Sequence, residues 1–84
     1  TRALAKELGP SGVRVNCIAP GGFNPGMAEN EDGRTFMKTY IENCPLGCWA
    51  NEDDIKGPIV FLASEASNYV TGATIVMDGG WTIW

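Results

Sequence analysis

Gly12-Val13-Arg14-Val15-Asn16-Cys17-Ile18-Ala19-Pro20-Gly21-Gly22-Phe23 is the stretch on which the reading of the fold turns. Its first half is rich in β-branched residues and its end breaks into Pro-Gly-Gly. It therefore predicts a strand that runs abruptly into a loop able to take unusual dihedrals. In an open α/β sheet, ligands bind in the crevice outside the carboxyl ends of the strands, where such a loop lies. Pro20 has a fixed φ and no N–H, and Gly21 and Gly22 have no Cβ to obstruct a flat ring approaching the main chain. The plainer alternative is an ordinary Pro-Gly turn.

Within the predicted strand, Val13, Val15 and Cys17 point to one face and Arg14, Asn16 and Ile18 to the other. An asparagine in a packed sheet needs partners for its amide donors and its carbonyl acceptor. Asn16 is accordingly read as a tie between neighbouring loops ahead of any catalytic role. A second strand is predicted over Ala73 to Asp78, and Asp78-Gly79-Gly80 repeats the device of a strand breaking into glycines.

Thr1 to Leu8 reads as the end of a helix stopped by Gly9-Pro10. Nothing in Thr1-Arg2-Ala3 resembles an N-cap, so the chain is expected to be the tail of a longer one. Phe23 to Gly33 has no apolar period and is expected to be a mobile loop. Arg34 to Asn43 carries Phe36, Met37, Tyr40 and Ile41 on one side of a short helix ended by Cys44-Pro45. That helix is read either as a lid over a pocket or, more plainly, as core packing. Asn51 and Asp54 predict an N-cap and an acidic first turn. Ile55, Ile59 and Leu62, widened by Val60 and Phe61, then predict a mostly buried helix interrupted by Pro58. Trp81 and Trp84 are too apolar to leave in water and are expected to pack against a partner subunit or a missing part of the fold.

The chain of 84 residues is 44% hydrophobic and 19% charged. That is an ordinary globular composition, with room for one domain at most. The net charge of −4 and six scattered basic residues offer no cationic stripe. Nucleic-acid binding is therefore not expected. The acidic clusters at Glu29 to Asp32 and Glu52 to Asp54 read as a solvated loop and a helix start. Cys17, Cys44 and Cys48 are odd in number, and the chain has no histidine. No metal site is expected from such a set. Three unpaired thiols suggest a reducing cytoplasm, and no apolar run is long enough for a membrane span. The order helix, strand, helix, helix, strand implies two parallel strands joined by a right-handed helical connection. Such a pair is not a stable sheet alone, so further strands are expected upstream.

The residues resemble the C-terminal third of the short-chain dehydrogenases/reductases. The matching text is Thr1-Arg2-Ala3-Leu4-Ala5-Lys6-Glu7-Leu8-Gly9, then Val13-Arg14-Val15-Asn16-Cys17-Ile18-Ala19-Pro20-Gly21, Pro45-Leu46-Gly47, Phe61-Leu62-Ala63-Ser64, Tyr69-Val70-Thr71-Gly72 and Asp78-Gly79-Gly80. The resemblance implies an α/β fold in which residues 1–84 are the C-terminal portion of a single Rossmann-type doubly wound parallel sheet, with no second domain. It implies an oxidoreductase moving hydride between nicotinamide, as NAD or NADP, and a secondary alcohol or ketone. The Asp-Gly-Gly-Trp ending is similar to sugar and polyol members such as gluconate 5-dehydrogenase-like enzymes.

By the same resemblance Pro20, Gly21, Gly22, Phe23 and Asn24 meet the nicotinamide end of the cofactor. Asn24 is a substitute for a threonine hydroxyl that Pro25 cannot supply. Met27 to Cys44 covers the substrate, and Cys48 stands where an arginine is frequent. The family's catalytic serine, tyrosine and lysine would lie before Thr1, so this chain is expected to hold no catalytic residue and to be inactive alone. A small-molecule substrate and a homo-oligomer are implied. The alternative is a non-catalytic interaction module, or a stable proteolytic fragment that assembles with other copies.

Overall fold

The computed structural model describes residues 1–22 and 29–83. The order is α1 (Arg2–Leu8), β1 (Cys17–Pro20), α2 (Glu31–Asn43), α3 (Glu52–Ala63) and β2 (Thr74–Met77), with 3-10 turns at Gly9–Ser11, Glu65–Ser67 and Trp81–Ile83. The strands β1 and β2 pair in a two-stranded sheet. The Cys17 N–H donates to the Ala73 carbonyl at 2.9 Å and the Gly21 N–H to the Met77 carbonyl at 3.1 Å. Both partners advance together along the chain, so the strands are parallel, and α2 and α3 lie in the long crossover that parallel pairing requires. The chain divides into two compact units: Thr1–Ala19 with Lys56–Val76, and Pro20–Ile55 with Met77–Trp84.

In the first unit α1 stops where Gly9-Pro10 predicts, although the chain continues through one 3-10 turn. The left-handed residue that closes it is Gly12, with φ +77° and its N–H donated to the Gly9 carbonyl at 2.9 Å. Glycine takes that conformation without steric cost. The ladder begins at Cys17 and not at Val13. The reason lies in the side chains that take over from a backbone partner. The Val15 N–H donates to Thr71 Oγ1 at 3.1 Å. Asn16 Nδ2 donates to the Val70 carbonyl at 3.0 Å, and Asn16 Oδ1 accepts the Ala73 N–H at 3.0 Å. Asn16 is therefore the tie between segments that its position implies, and both ends of its amide are used.

Arg14 does more than its place on a strand face indicates. Its Nη1 donates to the Ser67 carbonyl at 2.8 Å, to Ser67 Oγ at 2.9 Å and to the Val70 carbonyl at 3.2 Å. Its Nη2 reaches the Leu62 carbonyl at 3.0 Å. Leu62 is in the last turn of α3, whose carbonyls have no helical partners and carry the negative end of the helix dipole. That turn has no basic residue of its own, so Arg14 supplies the cation from a distant part of the chain. Ser67, fully buried, is satisfied as an acceptor by the same guanidinium.

Asn51 and Asp54 open α3 with a reciprocal cap. Asn51 Oδ1 accepts the N–H of Asp53 at 2.9 Å and of Asp54 at 3.2 Å, and the Asn51 N–H donates to Asp54 Oδ2 at 2.8 Å. Two orphan ends of the first turn are satisfied at once. Pro58 stands inside the helix, which nevertheless runs through it to Ala63. Its ring removes the N–H that would reach the Asp54 carbonyl. The expectation that α3 is mostly buried is not met. Ile59 is 48%, Val60 65% and Phe61 40% exposed, and no described residue of α3 is buried. The two strands have four residues each. They present too little surface to cover the apolar stripe of a helix this long.

Arg14→Met is expected to lower the unfolding free energy of the intact protein by roughly 2–3 kcal/mol, because a charged donor is lost and its carbonyl acceptors are left without it. Denaturant unfolding of both variants measures this. A change within experimental error would show the guanidinium to be a bystander.

Candidate functional site

In the second unit the end of β1 turns out at Pro20, which is exposed, followed by half-buried Gly21 and Gly22. Three backbone groups of these glycines are committed inside the protein. The Gly21 N–H goes to the Met77 carbonyl, the Gly22 N–H donates to the Tyr40 hydroxyl at 3.0 Å, and the Gly22 carbonyl accepts the Ala50 N–H at 3.2 Å. A Cβ on Gly21 would fall on the Tyr40 hydroxyl and within 2.8 Å of the Asp78 Cα. One on Gly22 would meet three atoms of the Trp49 ring at 2.5–2.9 Å. The glycines are thus required first by the close approach of Tyr40, Asp78 and Trp49, whereas the sequence pattern points to an approaching ligand or an ordinary Pro-Gly turn.

β2 ends beside this loop in Asp78-Gly79-Gly80. Gly79 and Gly80 have φ of +65° and +93°. That is the left-handed region that disfavours other residues. A Cβ on Gly79 would lie 2.5 Å from Cys44 Sγ, and one on Gly80 2.9 Å from the Pro45 ring. The buried Cys44 thiol lies 3.3 Å from the Gly79 carbonyl, and the Leu46 N–H donates to that carbonyl at 3.0 Å. The Asp78 carboxylate accepts the Gly80 N–H and the Thr82 N–H, each at 3.0 Å. A hydrogen bond from the Thr82 side chain, joined by these amides, outweighs desolvation and holds the Asp78 carboxyl below its usual value. Donors aimed at a carboxylate favour its charged form.

α2 begins at Glu31, three residues before Arg34, which shortens the expected loop at its far end. Asn30 caps it by accepting the Gly33 N–H at 2.6 Å, and Glu31 and Asp32 place acidic charge in the first turn. Both devices answer the unpaired N–H groups of a helix start. The acidic cluster expected to be a solvated loop is in part this helix start. The helix ends at Asn43, and Cys44 after it is extended. The residue before a proline is pushed to that conformation.

The inner face of α2 builds an aromatic cluster. The Tyr40 ring stacks on Trp81 at 4.4 Å and 11°, and meets Trp49 edge-on at 5.0 Å and 75°. Phe36 adds a second edge-on contact to Trp49 at 6.2 Å. Offset and edge-on rings of this kind attract beyond their buried area. Trp81 therefore finds a ring partner in Tyr40 of the same chain, where the sequence points to a partner subunit or a missing part of the fold. The Tyr40 hydroxyl, besides accepting from Gly22, donates to the Asp78 carbonyl at 3.3 Å.

Of the residues singled out from sequence, Pro20, Gly21 and Gly22 are brought together with Tyr40, Trp49 and Asp78. Phe23, Asn24, Pro25 and Trp84 lie outside the described residues, as does much of the loop expected over Phe23 to Gly33. Tyr40 is legible in sequence only as a packing position on the stripe of α2, where its hydroxyl has no visible destination. The indole N–H of Trp49 is buried with no hydrogen-bond partner among the described residues. Cys17, Cys44 and Cys48 are free thiols, and among the described residues no cluster of His, Cys, Asp or Glu is placed to hold a metal ion. No described helix is long and apolar enough to cross a membrane.

Parallel strands whose adjacent carboxyl ends both open into glycine turns, joined through helices, form part of a Rossmann-type α/β sheet. The family model described as enoyl-(acyl carrier protein) reductase matches residues 1–82, and the chain belongs to the short-chain dehydrogenase/reductase family. It is 46% identical over 81 residues to 2-dehydro-3-deoxy-D-gluconate 5-dehydrogenase of Pseudoalteromonas atlantica, an alignment covering 94% of this chain and 32% of that protein. Among solved structures, it is similar to a short-chain dehydrogenase from Leptospira borgpetersenii with bound NAD+, at TM-score 0.85 and 41% identity, covering 98% of this chain and 30% of that one. It is also similar to a protein from Agrobacterium tumefaciens provisionally named a 2-deoxy-D-gluconate 3-dehydrogenase, with bound NADP, at TM-score 0.88 and 38% identity over 100% of this chain and 35% of that one. The chain thus spans about a third of the length of the relatives it matches.

Gly22→Ala should cost about 1–3 kcal/mol through overpacking against Trp49, and combining it with Trp49→Leu should recover part of that loss in a double-mutant cycle. The Asp78 carboxyl, whose folded pKa is lowered, makes a separate contribution to stability. It is complete above the unfolded pKa, about 3.9, and is lost as pH falls through the folded value. Unfolding midpoints of the wild type and Asp78→Asn should therefore differ at neutral pH and converge on acidification below about pH 3.9.

Proposed function

We propose that this chain is part of an NAD(P)-dependent oxidoreductase that transfers hydride between nicotinamide and a secondary alcohol or ketone, with a sugar acid or polyol as substrate. The observation that carries the reading is the meeting of Pro20-Gly21-Gly22 and Asp78-Gly79-Gly80 at the carboxyl ends of adjacent parallel strands. In a Rossmann-type sheet this edge is where a dinucleotide lies. Relatives named for gluconate derivatives support the substrate class, and neighbours with bound NAD+ and NADP support the cofactor.

The residues present fit such a ligand. The Cβ directions of Gly21 and Gly22 are filled by Tyr40, Asp78 and Trp49, so the side of the turn left to a flat ring is main chain alone. Pro20, Gly21 and Gly22, with Phe23 and Asn24 beyond them, would hold the nicotinamide end, and the cofactor when bound supplies the hydride chemistry. The role of this chain is to position and to shield. Tyr40 and Trp49 keep the turn from collapsing, and α2 covers the substrate side. The residues that exchange a proton with the substrate oxygen lie outside these 84 residues, so the isolated chain is inactive. The protein acts in the cytoplasm as a homo-oligomer, and the chain is one portion of a single dinucleotide-binding domain.

The test is nicotinamide absorbance of the intact protein with a panel of sugar acids, polyols and simple secondary alcohols. Turnover with a sugar acid or polyol is the expected result. Turnover confined to simple alcohols would overturn the substrate class, and no turnover in either direction with NAD or NADP would overturn the reading as a whole.

A further inference from the structure

The Gly22 N–H is the last described donor before the loop, and it is not free for a ligand. It is spent on the Tyr40 hydroxyl at 3.0 Å, which in turn donates its own hydrogen bond to the Asp78 carbonyl at 3.3 Å. One hydroxyl therefore joins the turn after β1 to the turn after β2 with its single donor and one of its acceptor sites. The ring that carries it is buried, stacked on Trp81 and met edge-on by Trp49. Trp49 in turn fills the space beside Gly22, and its neighbour Ala50 is tied there by the bond from its N–H to the Gly22 carbonyl at 3.2 Å. The hydroxyl is therefore held in place before any ligand arrives, and Gly21 and Gly22 cannot rotate without displacing it.

From this bridge we infer that Tyr40 is a positioning residue for the nicotinamide end of the cofactor. By holding the Gly22 N–H it sets the orientation of the Gly21-Gly22 peptide. The N–H and C=O of a trans peptide point in opposite directions, so the same bond aims the Gly21 carbonyl away from Tyr40 and toward the ligand side of the turn. The inference rests on the proposed function, and it locates the control of the site on α2, away from the proton-transferring groups. It also separates two halves of the dinucleotide. The nicotinamide side depends on the Tyr40 bridge, and the adenosine side does not.

Tyr40→Phe in the intact protein tests this, because it keeps the ring and removes only the bridge. Affinities for NADH and for ADP-ribose, or for their 2′-phosphorylated forms if the wild type prefers these, are measured beside the thermal midpoint. The expected result is a weakening of NADH binding by about 5- to 10-fold, the size of one ordinary hydrogen bond, with ADP-ribose binding unchanged. Equal weakening of both ligands, or no weakening of either, overturns the inference. A wild type that binds neither ligand overturns the proposed function beneath it. Should Tyr40→Phe fail to fold, amide exchange of Gly22 in the wild-type protein decides: protection without cofactor supports the bridge, and exchange as free as that of an open loop refutes it.

Discussion

The register of the two strands depends on a pair of polar side chains two positions apart. Asn16 takes the place of a backbone partner, receiving the Ala73 N–H and donating to the Val70 carbonyl. Arg14 gathers the carbonyls of Leu62, Ser67 and Val70. The strands they serve are four residues long. A parallel pair so short has little apolar area to hold its register, since a slip by one residue would cost few contacts. Here the slip would also strand a guanidinium and an amide together with the carbonyls they satisfy. Unpaired polar groups in a partly buried site cost more than lost methyl contacts of similar size, so the polar pair decides the alignment. In the second unit the Gly21 N–H pairs with the Met77 carbonyl, where the two glycine turns begin.

Much of this is legible in the sequence. The order of elements, the stop at Gly9-Pro10, the Asn51 cap and the breaks at Pro20 and Gly79 are local signals. They act through φ preferences and side chains bonding to their own backbone neighbours, which short-range pattern reading captures. The family is legible too, because the stretches Val13 to Gly21, Tyr69 to Gly72 and Asp78 to Gly80 match its text in order, and the first two are the ones that Arg14, Val15 and Asn16 join. The meetings of distant residues are not. Tyr40 sits on the apolar side of α2 as its period says, but nothing in the period shows that a hydroxyl lies over Gly22 and Asp78. The early start of α2 is hidden because Asn30 stands in an acidic run that reads as solvated. The glycines of the turn read as room for a ligand, whereas the groups crowding their Cβ directions come from within the chain.

The apolar face of α3 shows the opposite kind of error. Periodicity reports that Ile59, Val60 and Phe61 are suited to burial, and it is silent on what covers them. In this chain they remain substantially exposed, together with Leu4, Val13 and Val76. The chain spans about a third of its relatives' length. It carries a pattern suited to a larger sheet, so its hydrophobic stripe describes surfaces that its own strands do not supply.

The separation in sequence between Arg14 and its acceptors has a kinetic consequence. The bonds that secure the first unit join residues 14–17 to residues 62–73, across the whole of the crossover. During synthesis β1 emerges long before its partner, and its edge stays open until β2 has been made. Closing so large a loop is entropically slow, and an open strand edge is where wrong pairings begin. Pro20, the last residue of β1, and the two glycines after it limit the length of strand that can be captured in that interval, so the turn that shapes the site also guards the chain while it is still unfinished.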